Sequence, residues 1–478
     1  MPGHSQPPGP RPSRLLLAGV LGVCALALLL GYLAKQRCAG PPYDDFGVSA
    51  RFPVLKNSDL CYSDIQMLWP FRGIREHLLP YLTGGLSPDD GQLVGGAVEY
   101  PVLTGLFMWA TGLLAGNDAE FLAVSALFLA PFGLLTGWLL ARLTGRRAFV
   151  WAAAPALVAY AFLNWDLLVT AAMVAAVYAW ARGRPVLAAG LLGVGAALKL
   201  YPGFFVLPLL AERLARRDWR GGLGVVLASG GVFLAVNAPF LLANPHVWWA
   251  TYEFQRMRRA DITTNSIWFW GLPRLTTEQL NTLTPALIGL AWAVALLVGA
   301  WRATRGAGGY PWVQVSGAML CAFLLLNKVH SPQYTLWLLP FFVLISVRWG
   351  WWVGFWALDL LLFVGLFQWY DVIIGGGDFG LAKQAVIVGV WGQAALFALL
   401  YVVFLLAPLA ITSSEPGSVR SAAASSGAAA APAGSGPASP VGAAGAADLA
   451  EPRPSGAPSS GPPAGSSKPT DRTTSYSG

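Results

Sequence analysis

Charged residues are scarce in this sequence. Asp, Glu, Lys and Arg make up only 11% of its 478 residues, whereas a soluble domain has about 25%. Hydrophobic residues make up 55% of the chain, and the mean hydropathy is +0.56. A chain with so few charges cannot cover a water-exposed surface of this size. The composition therefore argues against a soluble enzyme and predicts a helical protein that crosses a membrane many times.

Several sequence motifs are absent as well. There is no Walker loop, no dinucleotide-binding fingerprint and no zinc-type Cys/His spacing, so no soluble nucleotide site is supported and no metal or cofactor is required. The net charge of +8 favours nucleic acid only weakly, because Lys and Arg lie mainly in short loops between apolar segments. We therefore expect membrane lipids, and no nucleic acid, as partners.

Only four cysteines are present. Cys24 and Cys321 lie in apolar segments, where packing explains them. Cys38 and Cys61 both fall in the first long polar segment, and they can form a disulfide if that segment faces an oxidising compartment. Such a bridge would contribute about 3 kcal/mol. Two free thiols are the alternative.

Apolar runs, in contrast, are abundant. We predict a polar cytoplasmic N-terminus at 1–14, an integral membrane domain at 15–408 with its first external loop at 35–96, and a cytoplasmic tail at 409–478. The tail is almost pure Ala, Gly, Ser and Pro, which cannot form a core, so we expect it to be disordered. Arginines before the first apolar run place the N-terminus in the cytoplasm.

The positive-inside rule sorts the remaining apolar segments into an all-α fold of about twelve spans. If residues 100–116 also crossed the membrane, the arginines at 142–147 would lie outside, so we predict a re-entrant or interfacial helix there. Both termini are then cytoplasmic. The predicted spans lie near 15–34, 120–142, 148–164, 166–181, 186–199, 203–212, 221–242, 285–302, 311–326, 332–347, 350–370 and 383–408.

Acidic and aromatic residues lie at the predicted outer ends of the spans. Asp64, in the first loop, is placed to take a proton from a hydroxyl. A solvated loop acid or a helix cap is the alternative, and Asp59 and Glu76 compete for the role. Glu99-Tyr100-Pro101 either lines a ligand groove or anchors a helix start. Asp166, in Asn164-Trp165-Asp166, is either a functional acid at membrane depth or a cap.

Two segments place a cation just before a proline that opens an apolar helix: Lys199-Leu200-Tyr201-Pro202 and Lys328-Val329-His330-Ser331-Pro332. Helix starts attract anions, so both segments suggest a phosphate of a lipid. Snorkelling of Lys199 and a structural His330 are the alternatives. The external segment 243–284 also carries Arg256, Arg258 and Arg259, which either meet lipid phosphate or belong to a surface amphipathic helix.

In this order, these residues resemble the polytopic GT-C glycosyltransferases. Over about residues 15–408 the chain is most similar to the actinobacterial polyprenol-phosphate-mannose-dependent mannosyltransferases of glycosyltransferase family 87. The resemblance rests on Asp64, Glu99-Tyr100-Pro101, Asn164-Trp165-Asp166, Lys199-Leu200-Tyr201-Pro202 and Lys328-Val329-His330-Ser331-Pro332-Gln333-Tyr334. Many members of the family carry two prolines after the tyrosine, whereas here Val102 follows Pro101.

The resemblance implies an inverting, metal-independent transfer of a sugar, mannose above others, from a polyprenyl-phosphate donor to a glycolipid or lipoglycan acceptor on the outer face of the plasma membrane. Asp64 would be the catalytic base. The donor phosphate would be bound by Lys328, His330, Arg256, Arg258, Arg259 and Lys199. The substrate groove would be lined by Tyr62, Glu99, Tyr100, Asp166, Tyr201, Gln333 and Tyr334. A flippase or other transporter of lipid-linked sugars, and a non-catalytic scaffold for envelope assembly, are the alternatives.

Overall fold

The computed structural model describes residues 12–306, 309–376 and 380–411. Within these ranges the chain is mostly helical, and the single sheet that they contain has two short strands. The prediction of a helical fold is therefore confirmed. The part of the predicted tail from residue 412 onward lies outside the described residues, as do residues 1–11 of the predicted N-terminal segment.

The helices and strands have the following bounds. In chain order the helices are α1 Arg14–Gln36, α2 Phe52–Leu55, α3 Asp64–Leu68, α4 Val102–Gly112, α5 Asp118–Thr144, α6 Phe149–Ala152, α7 Pro155–Tyr160, α8 Asp166–Ala181, α9 Pro185–Leu198, α10 Tyr201–Phe204, α11 Val206–Ala215, α12 Trp219–Ala243, α13 Pro245–Met257, α14 Ile267–Gly271, α15 Thr277–Arg305, α16 Trp312–Leu326, α17 Thr335–Leu344, α18 Trp349–Gly375 and α19 Gly380–Leu406. Short 3₁₀ turns occupy Gly145–Ala148 and Pro332–Tyr334, and the antiparallel strands are β1 Gly85–Leu86 and β2 Leu93–Val94.

Six helical segments of the described chain are long and apolar enough to cross a membrane. They are Arg14–Gln36, Asp118–Ala152, Trp219–Ala243, Thr277–Arg305, Trp349–Gly375 and Gly380–Leu406. Four shorter apolar helices, α4, α8, α9 and α16, lie between them in the chain. The chain is thus a membrane-embedded helical protein, and the twelve predicted spans are more than the six that meet this length. The predicted re-entrant segment at 100–116 contains α4, which is only 11 residues long.

The predicted span at 148–164 is broken rather than continuous. α6 ends at Ala152, Ala154 is extended, and α7 begins at Pro155, where a missing N–H is harmless. α7 ends at Tyr160, and five residues then lead into α8. The break leaves backbone carbonyls of this corner without helical partners, and the first loop binds two of them. The predicted span at 203–212 is likewise divided between the short helices α10 and α11.

The long helices pack around one continuous apolar core. α8 lies between α5 and α9, α9 packs on α12, and α1 contacts both α5 and α7. On the other side of the core, α19 contacts α16 and α18. α17 contacts α5, α7 and α8 on one side and α16 on the other, so it connects the two sides. The corner between α7 and α8 therefore lies near the start of α17, where the polar candidates meet.

A disulfide joins Cys38 to Cys61. Cys38 lies two residues after the end of α1, and Cys61 lies three residues before the start of α3. Both cysteines are fully buried and share a small apolar cluster with Phe52. The bridge therefore ties the start of α3 to the end of α1.

This pairing predicts a simple labelling result. In protein unfolded in SDS without reductant, maleimide should modify only Cys24 and Cys321, which are free thiols. After reduction, all four cysteines should be modified, and mass spectrometry of the peptides would identify them. The variant Cys38→Ser/Cys61→Ser is the control and should show two labels in both conditions. Four labels without reductant would rule out the bridge.

Candidate active site

The first loop carries Asp64 to the corner between α7 and α8. Ser63 caps α3: its hydroxyl oxygen accepts a hydrogen bond from the Ile65 N–H at 3.2 Å. The same hydroxyl donates to the Phe162 carbonyl at 2.7 Å. The Asp64 N–H donates to the Leu163 carbonyl at 2.8 Å. These two bonds to the broken corner position the Asp64 side chain at the start of α8.

The Asp64 carboxylate accepts two side-chain hydrogen bonds. The Tyr62 hydroxyl donates to Oδ1 at 2.7 Å, and the Asn164 amide donates to Oδ2 at 2.8 Å. Burial raises the pKa of Asp64 above its usual value, although these two bonds and the charge of Lys199 oppose the rise. Each carboxylate oxygen has a second lone pair that these bonds do not use. A base with a raised pKa is better matched to proton abstraction near neutral pH.

Asn164 connects Asp64 to the other candidates. Its amide nitrogen also donates to the Tyr100 hydroxyl at 2.7 Å. Its carbonyl oxygen accepts from the Trp165 N–H at 2.6 Å and from Lys199 Nζ at 3.2 Å. Both donors face the oxygen, so the amide can have only one orientation. The sequence drew attention to Asp166 in this motif, but Asn164 is the residue that contacts the proposed base.

Lys199 and Asp166 form a buried ion pair. Lys199 Nζ lies 2.5 Å from Asp166 Oδ1, and Asp166 is fully buried. The Trp337 indole N–H also donates to Oδ1 at 2.7 Å. Lys199 does not extend to a lipid interface, because its ammonium lies 5.5 Å from the ring centre of Tyr100 and 5.4 Å from that of Trp337. The alternatives of snorkelling for Lys199 and simple capping for Asp166 therefore do not describe the fold.

An aromatic stack borders this pair. The ring of Trp337 lies 4.4 Å from the ring of Tyr201 and 3.9 Å from that of Tyr334, with small interplanar angles. Tyr201 and Tyr334 are thus close to Lys199, as a common groove would require. Trp337 was not among the predicted residues, because it lies inside an apolar helix whose sequence contains no polar signal.

The prolines Pro202 and Pro332 do not open the long apolar helices that the sequence predicted. α10, which contains Pro202, is only four residues long, and Pro332 opens a 3₁₀ turn rather than the first turn of α17. The helix dipole needs several aligned peptides, so a four-residue helix attracts an anion weakly. Any phosphate here would have to be bound by side chains and by individual N–H groups.

Lys328 links the last turn of α13 to the first turns of α15. Its Nζ donates to the Arg256 carbonyl at 2.6 Å and to Asn281 Oδ1 at 2.6 Å. Burial lowers the pKa of Lys328 to about 8, and the positive charges of Arg258 and Arg256 add to this effect. The side chain of Arg256 is exposed and pairs with Glu253 at 2.6 Å. Among the described residues, neither Lys328 nor Arg256 hydrogen-bonds to the Asp64 network.

His330 lies against the aromatic stack from the side of α19. Its ring centre is 5.9 Å from that of Tyr334 and 5.4 Å from that of Phe397. Burial lowers the pKa of His330 to about 4, although the Gln393 amide opposes this effect. The imidazole is therefore neutral near pH 7 and offers a ligand one N–H rather than a positive charge. Burial has this effect because it disfavours the charged form of the imidazole.

Arg258 and Arg259 line a cavity of about 270 Å³. Asp90, Asp261 and the apolar side chains of Phe254 and Met257 also line it. The charge of Arg258 acts on the hydroxyl of Tyr334, which also senses Asp64. This cavity therefore presents two positive side chains to a ligand.

The structure thus divides the predicted site residues into two groups. The first group is joined through Asn164 or stacks beside Lys199: Tyr62, Asp64, Tyr100, Asp166, Lys199, Tyr201 and Tyr334. In the part of the chain that the structure describes, the second group lies outside this hydrogen-bond network, although the ring of His330 packs against that of Tyr334. Its members are Lys328, His330, Arg256, Arg258, Arg259, Glu99 and Gln333. In that group, Glu99 pairs with Arg72 at 2.8 Å, and Gln333 accepts from Ser331. The competing acids Asp59 and Glu76 are exposed and lie outside the network.

The fold is that of an integral membrane protein. Its buried network of carboxylate, amide and lysine has the groups needed for acid–base chemistry. Residues 99–332 match the model of glycosyltransferase family 87, and the chain belongs to that family. It is accordingly a membrane glycosyltransferase. The matched region includes Tyr100, Asn164, Asp166 and Lys199, whereas Asp64 precedes it. No curated protein matches the chain.

Proposed function

We propose that this glycosyltransferase moves a sugar, mannose above others, from a polyprenyl-phosphate donor to a lipid-linked or envelope glycan acceptor. The observation that carries the proposal is the half-buried Asp64 carboxylate, which is held between Tyr62 and Asn164. A polyprenyl-phosphate sugar is soluble only in the membrane, where this chain is embedded. The reaction inverts the configuration at the anomeric carbon.

Asp64 acts as the general base. An acceptor hydroxyl attacks the anomeric carbon, and Asp64 takes the hydroxyl proton while the bond between that carbon and the phosphate oxygen breaks. The electron pair leaves with the phosphate, so negative charge grows on the leaving group and cations nearby stabilise it. The bonds from Tyr62 and Asn164 hold the carboxylate in one orientation, which reduces the entropy lost in reaching the transition state.

The donor phosphate meets cations on the side of α13. Arg258 and Arg259 line the open cavity, and Lys328 and Arg256 lie beside it. His330 contributes a neutral N–H, and Lys199 contributes a charge that Asp166 balances in the absence of substrate. Tyr62, Tyr100, Asp166, Tyr201 and Tyr334 border the sugar, while Glu99 and Gln333 lie further along the same groove.

The active site faces the outside of the plasma membrane in this proposal, with both termini in the cytoplasm. The Cys38–Cys61 bridge supports this orientation, because disulfides persist in oxidising compartments. The bridge lies in the same loop as Asp64, so an external bridge implies an external base. Impermeant labelling of a cysteine introduced at exposed Asp59 in intact cells would test the side directly.

The first test is sugar transfer by the purified protein in lipid nanodiscs. Radiolabelled polyprenyl-phosphate mannose, arabinose and glucose are offered separately with a crude acceptor-lipid extract, and the product is separated and identified. Transfer from the mannose donor alone supports the proposal, and transfer from another donor changes the sugar. No transfer from any donor, together with movement of a labelled lipid across the bilayer of proteoliposomes, would favour the transporter instead.

His330→Ala is expected to raise the KM for the donor about 2- to 13-fold, the loss of one neutral hydrogen bond of about 0.5–1.5 kcal/mol. The effect should be the same at pH 6 and pH 8, because the pKa of His330 is lowered to about 4 and the ring stays neutral between them. His330→Gln, which keeps an N–H donor, is the matched variant and should recover part of the loss. If His330→Ala leaves the KM for the donor unchanged, His330 does not bind the donor and serves only in packing.

A further inference from the structure

Three buried polar side chains line a small cavity between the start of α14, the end of α16 and the middle of α19. They are Asn265, His330 and Gln393, which are 3%, 5% and 1% exposed. The cavity has a volume of about 10 Å³, which is room for about one water-sized group. Among the described residues that line it, none carries a full charge near pH 7. The cavity is therefore polar, neutral and small.

The polar atoms around this cavity lack partners. Both ring nitrogens of His330, both side-chain polar atoms of Asn265 and Oε1 of Gln393 make no hydrogen bond to the described residues. The Gln393 amide nitrogen donates to Asp359 Oδ1 at 3.0 Å, so Oε1 points away from that carboxylate. Buried polar atoms in native proteins nearly always have a partner. Five such atoms around one cavity therefore indicate a bound ligand.

The loop that carries Asn265 is fixed against His330. The His330 N–H donates to the Thr264 carbonyl at 2.7 Å. The Tyr370 hydroxyl lies near Asn265 but donates to the Ile262 carbonyl of the same loop at 2.9 Å. The Asn265 backbone has a φ of 47°, in the left-handed region that residues other than glycine seldom adopt. A strained residue that is held by its neighbours with its amide unpaired is typical of a binding site.

The donors and acceptors around the cavity define the chemistry of the ligand. The two amide oxygens accept, the Asn265 nitrogen donates, and the neutral His330 ring offers one N–H and one lone pair. A phosphate or a carboxylate only accepts, so it would oppose the amide oxygens, and it is larger than the cavity. An ammonium only donates and would oppose the N–H groups. A hydroxyl group both donates and accepts, and it fits the size and the polarity of the cavity.

We infer that this cavity binds a neutral hydroxyl oxygen, which is held by hydrogen bonds to Asn265, His330 and Gln393. A hydroxyl group of the transferred sugar and a water molecule are the two sources of that oxygen. The sugar is nearby in the proposed reaction, because the His330 ring packs 5.9 Å from that of Tyr334, which borders the sugar. With the sugar as the source, Asn265 determines specificity for the donor. That source rests on the proposed function, whereas binding of the oxygen itself does not.

Hydroxyl-radical footprinting of the purified protein in nanodiscs tests for a bound water. X-ray radiolysis of an enclosed water generates the radical beside the residues that contact it, so the buried Phe397 and His330 should be oxidised as readily as exposed side chains. Ala394→Val adds two methyl groups at a residue that lines the cavity and should abolish this oxidation. Ala395→Val, at the neighbouring exposed position of α19, is the matched control and should leave it unchanged. Equal oxidation in both variants would place the water outside the cavity and count against the inference.

Deoxy donors distinguish the two sources. Polyprenyl-phosphate mannose and its 2-, 3-, 4- and 6-deoxy analogues are compared by kcat/KM. If a sugar hydroxyl enters the cavity, one analogue should lose about 2- to 13-fold, the contribution of one neutral hydrogen bond, and the intact donor should protect Phe397 from oxidation. Asn265→Gly tolerates the left-handed φ and removes both polar atoms, so it should use that analogue and mannose equally well. If water is the ligand, Asn265→Gly should rank the donors as wild type does, and the oxidation should persist with donor present.

The outcomes separate this inference from the proposed function. Oxidation that Ala394→Val abolishes, in a protein that transfers no sugar, would support the cavity site and reject the proposed function. The inference alone is overturned if the protein transfers sugar, neither Phe397 nor His330 is oxidised, and Asn265→Gly ranks the deoxy donors as wild type does.

Discussion

Asp64→Asn is expected to lower sugar transfer by at least about 10²-fold, the usual contribution of a general base. The amide is nearly the same size as the carboxylate but cannot accept a proton at neutral pH. Its oxygen can still accept from Asn164, and its NH₂ group can donate to the Tyr62 oxygen, since a phenol is both donor and acceptor. The fold and donor binding should therefore be retained. The measurement is the initial rate of transfer at saturating donor in nanodiscs.

The control for this variant is Asp59→Asn. Asp59 lies five residues earlier in the same loop and is exposed, and its side chain is outside the Asp64 network. Its substitution removes the same charge from the loop and should leave the rate unchanged. Donor binding measured by equilibrium methods should be equal in both variants. Wild-type rates in Asp64→Asn would reject this residue as the base and reopen the assignment to the other acids of the loop.

The meeting of Tyr100, Asp166 and Lys199 could be anticipated from the sequence. Each is a polar residue at the end of an apolar segment, and loop charges sort those ends onto one side of the membrane. Residues at one end of a helical bundle lie close together in space, so these three residues can meet although they are 33 to 99 positions apart in the sequence. Asp64 was predicted on the same argument, and it is joined to Lys199 through Asn164.

Other features depend on packing that no local pattern encodes. Lys35 stands beside Gln36 and Arg37, and such a cluster is typical of a helix end at the interface. Its side chain is nevertheless buried, with the ammonium over the ring of Phe363 in α18. Arg147 was assigned to a cytoplasmic loop, but its guanidinium donates to the carbonyls of Phe342 and Ile345 at the end of α17. In both cases the environment is provided by a distant helix. Hydrophobic periodicity and charge in the sequence describe only the segment in which a residue lies, so they do not reveal its contacts with a distant helix.

Removing one partner of the Lys199–Asp166 pair should strongly destabilise the protein. Among the described residues, Lys199→Met leaves the fully buried Asp166 carboxylate with the Trp337 N–H as its remaining side-chain donor. Breaking a buried ion pair in this way costs about 3–5 kcal/mol, because the remaining charge is uncompensated. Asp166→Asn should have a similar effect through Lys199. Thermal unfolding in one detergent, followed by tryptophan fluorescence, would compare both variants with wild type.

The double variant Lys199→Met/Asp166→Leu separates stability from function. Two apolar side chains of suitable volume leave no buried charge, so most of the lost Tm should return. Transfer should not return, because Lys199 also donates to Asn164, which orients Asp64. Recovery of both properties would show that the pair contributes only to folding. An unchanged Tm in Lys199→Met would mean that these side chains form no stabilising ion pair. Loss of transfer in a stable double variant would instead place the pair in the alignment of the base.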